Sequence, residues 1–236
     1  MKEVITVITG TSKGIGEYLA KYYLDKGHIV YGCSRSTPKW VNENTKNYFH
    51  YLLDVSDEKA VKNMFSDIRK KHGHLENLIN NAAMASMNHV LLFPLIKAEE
   101  LLRTNTLGTF LFCREASKLM KRNKYGRIIN FTSGAVRLKI EGESIYAASK
   151  SGIESFTQII AKELGEFGIT ANIVCPGPVK TDLIAGVDPQ KIEKNFLGQQ
   201  AIKRYCTFED IVNVIDFYLK TESNFISGQT LYLGGI

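Results

Sequence analysis

Tyr146 and Lys150 stand four residues apart in the run Tyr146-Ala147-Ala148-Ser149-Lys150, so on a helix they share one face, one turn apart. An ammonium held near a phenol favours the phenolate and lowers the tyrosine pKa from its usual value of about 10. A tyrosine tuned in this way passes a proton to or from a reacting oxygen near neutral pH. Ser133 lies upstream, at the end of the apolar run Arg127-Ile128-Ile129-Asn130-Phe131-Thr132-Ser133. From a strand end its hydroxyl could reach the same oxygen and polarise a carbonyl. A tyrosine and a lysine on the solvated face of an amphipathic helix are the bland alternative, and the rest of the chain decides between the two.

The elements that would position these groups begin at Val4-Ile5-Thr6-Val7-Ile8, a β-branched run typical of parallel strands buried on both faces. Thr9-Gly10-Thr11-Ser12-Lys13-Gly14-Ile15-Gly16 follows, and residues 17–26 read as a helix ending at Gly27. Strand, glycine-rich turn and helix together present backbone N–H groups and a helix N-terminus to a pyrophosphate. Gly10, Gly14 and Gly16 permit the tight turn and the close approach of phosphate, with Ser12, Lys13 and Ile15 between them.

Residues 28–33 read as the second strand, and Ser34-Arg35-Ser36 lies just beyond. In a dinucleotide fold an acid at this strand end holds the ribose 2′-hydroxyl, whereas an arginine accommodates a 2′-phosphate. No acid stands between Val30 and Lys39; Arg35, with Ser36 beside it and Lys13 as a second cation, favours NADP(H) over NAD(H). Solvated surface charge is the other reading of Arg35 and Lys13. Residues 38–51 are the least regular part of this half and read as a short or frayed crossover helix before a third strand. That strand closes at Leu52-Leu53-Asp54-Val55, placing Asp54 and Val55 where an adenine edge would lie. Ser56 reads as the cap of a helix running to Lys70, with Ala60, Val61, Met64, Phe65 and Ile68 at helical spacing. Residues 77–79 read as the fourth strand, ending in Asn80-Asn81-Ala82-Ala83.

Composition narrows the class. A chain of 236 residues suits one α/β domain spanning residues 1–236, with length to bury a core. The excess of 30 basic over 24 acidic residues is scattered, with no basic tail or aromatic-interleaved stripe, which speaks against nucleic acid as a partner. A modestly basic surface still suits an anionic cofactor or an acidic carrier protein. Met1-Lys2-Glu3 leads into a strand pattern without the features of a signal peptide, and no apolar run is long enough to span a bilayer. Cys33, Cys113, Cys175 and Cys206 are far apart and read as reduced, mostly buried thiols of a cytoplasmic protein, with no metal-binding spacing.

Thr9-Gly10-x-x-x-Gly14-x-Gly16, Asn80-Asn81-Ala82, Asn105, Ser133, Tyr146-x-x-x-Lys150 and Pro176-Gly177, in this order, resemble the short-chain dehydrogenase/reductase superfamily in its single-domain form. The resemblance runs from Val4 to about Gly235, and the interval from Ser133 to Tyr146 is the family's usual one. Ala83 departs from a usual glycine and Gly234 from a common aspartate, away from the reacting groups. The resemblance implies a Rossmann-type doubly wound parallel sheet with helices on both faces. It implies that Tyr146 is the general acid for carbonyl reduction, and the base for the reverse. It also implies that Lys150 tunes Tyr146 and holds the nicotinamide ribose, and that Ser133 hydrogen-bonds the substrate oxygen. Asn105 would anchor a water chain that resupplies protons; read by itself, an asparagine in the apolar stretch 101–120 would kink or cap a helix. Asn81, Ala82, Ala83, Pro176, Gly177, Val179 and Thr181 are implied contacts of the cofactor, Val179 and Thr181 at the nicotinamide carboxamide.

The rest of the chain is similar to the same plan. Residues 97–122 and 144–167 read as two long helices, which in relatives pair across a dimer axis, so a homodimer or homotetramer is expected. Residues 170–175 read as the sixth strand, 208–220 as a helix and 228–233 as the last strand. Residues from 182 to about 206 read as a mobile lid over substrate. The expected activity is NADPH-dependent reduction of a ketone, of the 3-oxoacyl-[acyl-carrier-protein] reductase type found in fatty acid biosynthesis. The basic cluster Lys121, Arg122, Lys124 and Arg127 would meet an acidic carrier. Phe167 stands where those reductases carry a second basic contact. Arg137, Lys139, Glu141 and Glu143 charge the loop before Tyr146 and suit a polar or sugar-like substrate instead. An alcohol, sugar or secondary-metabolite oxidoreductase is therefore the alternative. A non-catalytic NADP(H)-binding sensor or scaffold is a third reading, against which the intact Ser133, Tyr146, Lys150 and Asn105 stand.

Overall fold

Side chains along each strand alternate between two cores, one on either face of a single sheet. Ile5, Val7, Leu78, Ile128 and Ala171 join one core, and Ile8, Val30, Ile79, Ile129 and Val174 the other. This is why the central strands carry apolar residues on both faces, with the buried Thr6, Asn77, Asn130 and Asn172 held by hydrogen bonds. The structure, a computed structural model, describes residues 3–43 and 45–236; the expected start of the chain at Met1 and Lys2, and Asn44 within the 38–51 crossover, lie outside the described residues.

The strands are β1 (Ile5–Thr9), β2 (Ile29–Ser34), β3 (Tyr48–Leu52), β4 (Asn77–Asn80), β5 (Gly126–Phe131), β6 (Ile169–Cys175) and β7 (Thr230–Tyr232). All pairings are parallel, in the order β3-β2-β1-β4-β5-β6-β7. The chain winds outward from β1 through β3, then returns to place β4 on the other side of β1. That reversal leaves a crevice at the carboxyl ends of β1 and β4, where ligands of such sheets bind. Helix α1 (Gly14–Asp25) packs with the later helix of residues 208–219 on one face. α2 (Glu58–His72) covers the other with the helices that follow β4. These are α3 (Leu95–Leu101), a π-helical turn (Leu102–Leu107), α4 (Gly108–Asn123), the short α5 (Ala135–Leu138) and α6 (Ser144–Leu164); α4 and α6 join that core, while α3 and α5 join a smaller cluster around Tyr146. α7 (Pro189–Asn195) lies in the expected lid and α8 (Phe208–Leu219) precedes β7. No helix among the described residues is long and apolar enough to cross a membrane.

Four expectations change. The described residues between β2 and β3 form turns, not a crossover helix. Trp40 anchors them, its ring 4.6 Å from Tyr48 and its Nε1 donating to the Thr11 carbonyl at 2.9 Å. Asp57, not Ser56, caps α2: its Oδ1 accepts from the Lys59 and Ala60 amides, while Ser56 turns back to Asp54. The single helix expected over 97–122 is interrupted by the π-helical turn that contains Asn105. Arg127 is not part of a basic surface, because it is 1% exposed, stacked 4.3 Å from the Tyr125 ring and donating to the Gly126 carbonyl. The four cysteines are free and buried.

Candidate active site

In a parallel sheet every strand delivers its C-terminal loop to the same edge, so the glycine turn, Asn81, Ser133 and Pro176 arrive together. At the end of β1, Gly10 and Thr11 amides donate to the Cys33 carbonyl at 2.8 and 3.2 Å. Gly10 takes φ +77 and Gly14 φ +61, a backbone region that favours glycine. A Cβ on Gly16 would run into the Gly10 carbonyl oxygen, and one on Gly10 would lie 2.9 Å from Asn81 Nδ2. Asn81 Nδ2 donates to the Thr9 carbonyl at 2.9 Å, and the Ala82 amide donates to Thr9 Oγ1 at 2.9 Å. Asn81 and Ala82 thus brace the turn. Lys13 occupies the cap position of α1 without a side-chain cap, so its side chain takes up none of the helix's first N–H groups. Backbone donors, a helix N-terminus and glycines that a Cβ would spoil fit a pyrophosphate.

The other expected cofactor contacts take varied positions. Arg35 and Ser36 lie exposed on the loop after β2. Lys13 pairs with Asp182 at 3.0 Å across two exposed side chains, tying the turn to the start of the expected lid. Asp54 Oδ1 accepts from the Ser56 amide and hydroxyl at 2.8 and 2.7 Å. Val55 is buried beneath Gly108, whose place a Cβ could not share, at 2.7 Å from Val55 Cγ2. Ala83 is half-buried beyond Ala82. Ile15, Pro176, Gly177, Val179 and Thr181 line one cavity of about 300 Å³ together with Ser133 and Tyr146. Thr181 reaches the glycine turn: a Cβ on Gly14 would lie 3.5 Å from its Cγ2.

Tyr146 and Lys150 both lie on α6 and both are buried, which disposes of the solvated-face alternative. The expected tuning is reversed. Burial pushes the Tyr146 phenol up to about 12; the Ser133 hydroxyl, hydrogen-bonding it, pulls the other way, and Glu143 adds to the rise. Burial brings Lys150 down to about 8. Lys150 Nζ lies 6.0 Å from the Tyr146 ring centre and donates to the Phe131 carbonyl at 3.0 Å. At that separation its attraction for a phenolate is weaker than the loss of water around the phenol.

Asn105 does not line the cavity. Its Oδ1 accepts from the Met84 amide at 2.8 Å, and its Nδ2 donates to the Met84 carbonyl and to Ser149 Oγ at 2.9 and 3.0 Å. Ser149 Oγ in turn donates to the Tyr146 carbonyl at 2.7 Å. Asn105 is fully buried and clasps the loop after β4 to the turn of α6 that carries Tyr146. The wider π-helical turn is what delivers an asparagine here, since it shifts the side chain off the ordinary helical stripe.

Three participants escaped the sequence reading. Ser149 sits inside the Tyr–Lys run, yet nothing in a serine's type announces a relay. Met87 lines the cavity and packs near Gly142, where a Cβ would meet its Cγ at 2.9 Å. Glu143, noticed only as loop charge, faces the cavity with its Oε2 buried. Gly234, the departure from a common aspartate, has φ +86, and its carbonyl accepts from the Ile202 amide at 3.0 Å. It closes the chain's last turn against the end of the expected lid.

Comparison with known proteins gives consistent results. A family model described as Enoyl-(Acyl carrier protein) reductase matches residues 10–235. The 3-oxoacyl-[acyl-carrier-protein] reductase FabG of Buchnera aphidicola is 31% identical over 232 residues, covering 97% of this chain and 95% of that relative. Among solved structures, ElxO with NADP bound is 28% identical with a TM-score of 0.88, covering 99% of this chain and 97% of the other. The ligand-free aldohexose dehydrogenase of Thermoplasma acidophilum is 26% identical with a TM-score of 0.86, covering 99% and 94%.

Proposed function

The chain belongs to the short-chain dehydrogenase/reductase family, and from that premise we propose that it reduces 3-oxoacyl groups carried as thioesters, using NADPH. It is an NADP(H)-dependent oxidoreductase acting on carbonyl and hydroxyl groups. The observation that carries the reading is that the buried Tyr146 and the half-buried Ser133 line one cavity beside the glycine turn. The far wall of that cavity is apolar, with Leu183, Ile184, Val187, Ile192 and Phe196, and suits an acyl chain. The FabG relative's name supports the 3-oxoacyl class.

The bound cofactor supplies the hydride; the remaining chemistry belongs to the chain. Ser133 Oγ donates to the substrate carbonyl oxygen and holds it against Tyr146. Tyr146 releases its phenolic proton onto that oxygen as the negative charge develops. Lys150, buried and fixed to the Phe131 carbonyl, would hold the ribose; as an ammonium it gives a proton to the Tyr146 phenolate and regains one from solvent. The first N–H groups of α1 hold the pyrophosphate, and Arg35 the 2′-phosphate. Residues 182–206 close over the substrate and exclude water. Asn105 keeps Met84 and α6 in register around the reacting oxygen.

A second reading, reduction of a polar or sugar-like ketone, is favoured by Glu143 in the cavity and by the sugar dehydrogenase among the structural neighbours. The docking of an acyl carrier on the 121–127 cluster loses support from the fold. α4 ends where β5 begins, so Lys121, Arg122 and Lys124 stand at the opposite sheet edge, a strand's length of roughly 20 Å from Ser133. Tyr146→Phe is the direct test. NADPH consumption with a 3-oxoacyl thioester should fall by about 10² to 10⁴-fold while NADPH affinity persists. Undiminished turnover in that variant removes Tyr146 from the mechanism.

A further inference from the structure

Glu143 begins α6, three residues ahead of Tyr146, at the position from which a side chain ordinarily caps a helix. It makes no such cap. Its side chain turns to the substrate cavity, where Oε2 is buried with no hydrogen-bond partner among the described residues. No cation balances it either: burial is the sole influence on its ionisation and lifts the carboxyl to about 7. The backbone around it is held firmly, Glu143 N donating to the Ile140 carbonyl and the Gly142 carbonyl accepting from the Asn88 amide at 2.8 Å. The unsatisfied acceptor is therefore a built feature of the pocket wall. A buried acceptor without a donor is costly, and a ligand that brings the donor recovers that cost.

We propose that Glu143 is a specificity-determining residue whose carboxyl accepts a hydrogen bond from a substrate hydroxyl, so that the site selects hydroxylated carbonyl compounds. The proposal rests on the carbonyl-reductase reading of Tyr146, but not on a thioester. Positions one helical turn apart lie about 5–6 Å from each other, so the hydroxyl belongs on a carbon close to the reacting carbonyl. A hydroxyl fits better than an ammonium, because the remaining wall around Met87, Val179 and Ile184 is apolar and would not solvate a full charge. Sites that hydrogen-bond a substrate hydroxyl discriminate strongly against analogues that lack it.

The test uses the purified chain with NADPH and matched pairs: 4-hydroxy-2-butanone against 2-butanone, and dihydroxyacetone against acetone, with a 3-oxoacyl thioester alongside. The parent should favour the hydroxylated member by at least about tenfold in kcat/KM. Glu143→Leu should bring the ratio to about one, and Glu143→Gln, whose amide carbonyl still accepts, should keep part of it. A ratio within each pair is insensitive to a general loss of active protein, and thermal melting confirms that both variants fold. A second readout needs no turnover: the diol product should raise the melting temperature of the parent and not of Glu143→Leu. If ketones are reduced but the ratio survives in Glu143→Leu, the assignment of Glu143 is overturned while the reductase reading stands. If no carbonyl is reduced, or Tyr146→Phe turns over as well as the parent, the reductase reading fails and the proposal falls with it.

Discussion

At the scale of single residues, the site is governed by what burial does to charge. Tyr146, Lys150 and Glu143 are all moved toward their neutral forms, the phenol up to about 12, the amine down to about 8 and the carboxyl up to about 7. Glu143 makes the consequence measurable. An ordinary glutamate ionises near 4.3 in the unfolded chain, so between there and about 7 the unfolded state releases a proton that the folded state retains. Stability present below that window is lost as pH rises through it, and the loss is complete above about 7. Glu143→Gln has no proton to lose. Its stability relative to the parent should therefore grow with pH, reaching on the order of 2–3 kcal/mol by pH about 8 and vanishing near pH about 4.5. Urea unfolding at the two pH values reads this directly, and an equal gap at both would contradict it. The residue types were legible in the sequence, and so was the shared face of Tyr146 and Lys150. The direction of the tyrosine shift was not, because spacing says which groups meet but not how much water each one loses.

At the scale of elements, most of what positions the site could be read from residue type and period. The strand–turn–helix at Gly10 to Gly16, the β5 end carrying Ser133 and the helix of Tyr146 all stand where glycine placement and hydrophobic period put them. The misreadings share a cause: they occur where a local hydrogen bond overrides the period. A π-helical turn adds one residue to a helix without changing its composition, so residues 97–122 read as unbroken. The 182–206 segment hid α7, although Asp188 ahead of Pro189 is a start signal, with Oδ1 accepting from the Gln190 amide. The π-helical turn is also where mutation should be most telling. Asn105→Ala would strip partners from the Met84 amide and carbonyl at once and remove the donor to Ser149. Leaving buried backbone groups unpaired costs about 1–3 kcal/mol each, so a loss of roughly 2–4 kcal/mol in unfolding free energy is expected. The clasp also aligns α6, so turnover should fall further than stability alone explains under conditions where the variant remains folded. Wild-type turnover in a folded Asn105→Ala would confine Asn105 to a structural role.

At the scale of the whole molecule, the surface carries an apolar region on α4 and α6 that the fold of a single chain does not use. Leu107 and Phe110 follow one another by three residues from the π-helical turn into α4, and are 52% and 39% exposed. Ile159, 54% exposed, follows Phe156 by three residues on α6, and the Phe110 and Phe156 rings meet edge to face at 6.1 Å. The four side chains therefore form a continuous strip across α4 and α6. Core packing accounts for Phe112 and Leu111 on the same helix and for part of Phe156, but not for Leu107, Phe110 and Ile159. A strip of this kind loses water only against another protein, and a two-fold axis would bring each copy's strip onto the other's. A stable contact needs about 800 Å² per partner, which two helices packed across such an axis can supply. The π-helical turn that leads into α4 carries Asn105 and α6 carries Tyr146, so association would also stiffen the clasp at the active site. In sedimentation at micromolar concentration the parent chain should run at twice its chain mass or a multiple of that. Phe110→Glu combined with Ile159→Glu should run at the mass of one chain with its far-ultraviolet dichroism intact. A charged strip cannot bury itself against its own copy without unpaired ions, so the effect should be large and salt-independent. A parent that sediments as a single chain would leave the strip without this partner, and an unchanged mass in the double variant would place the contact elsewhere.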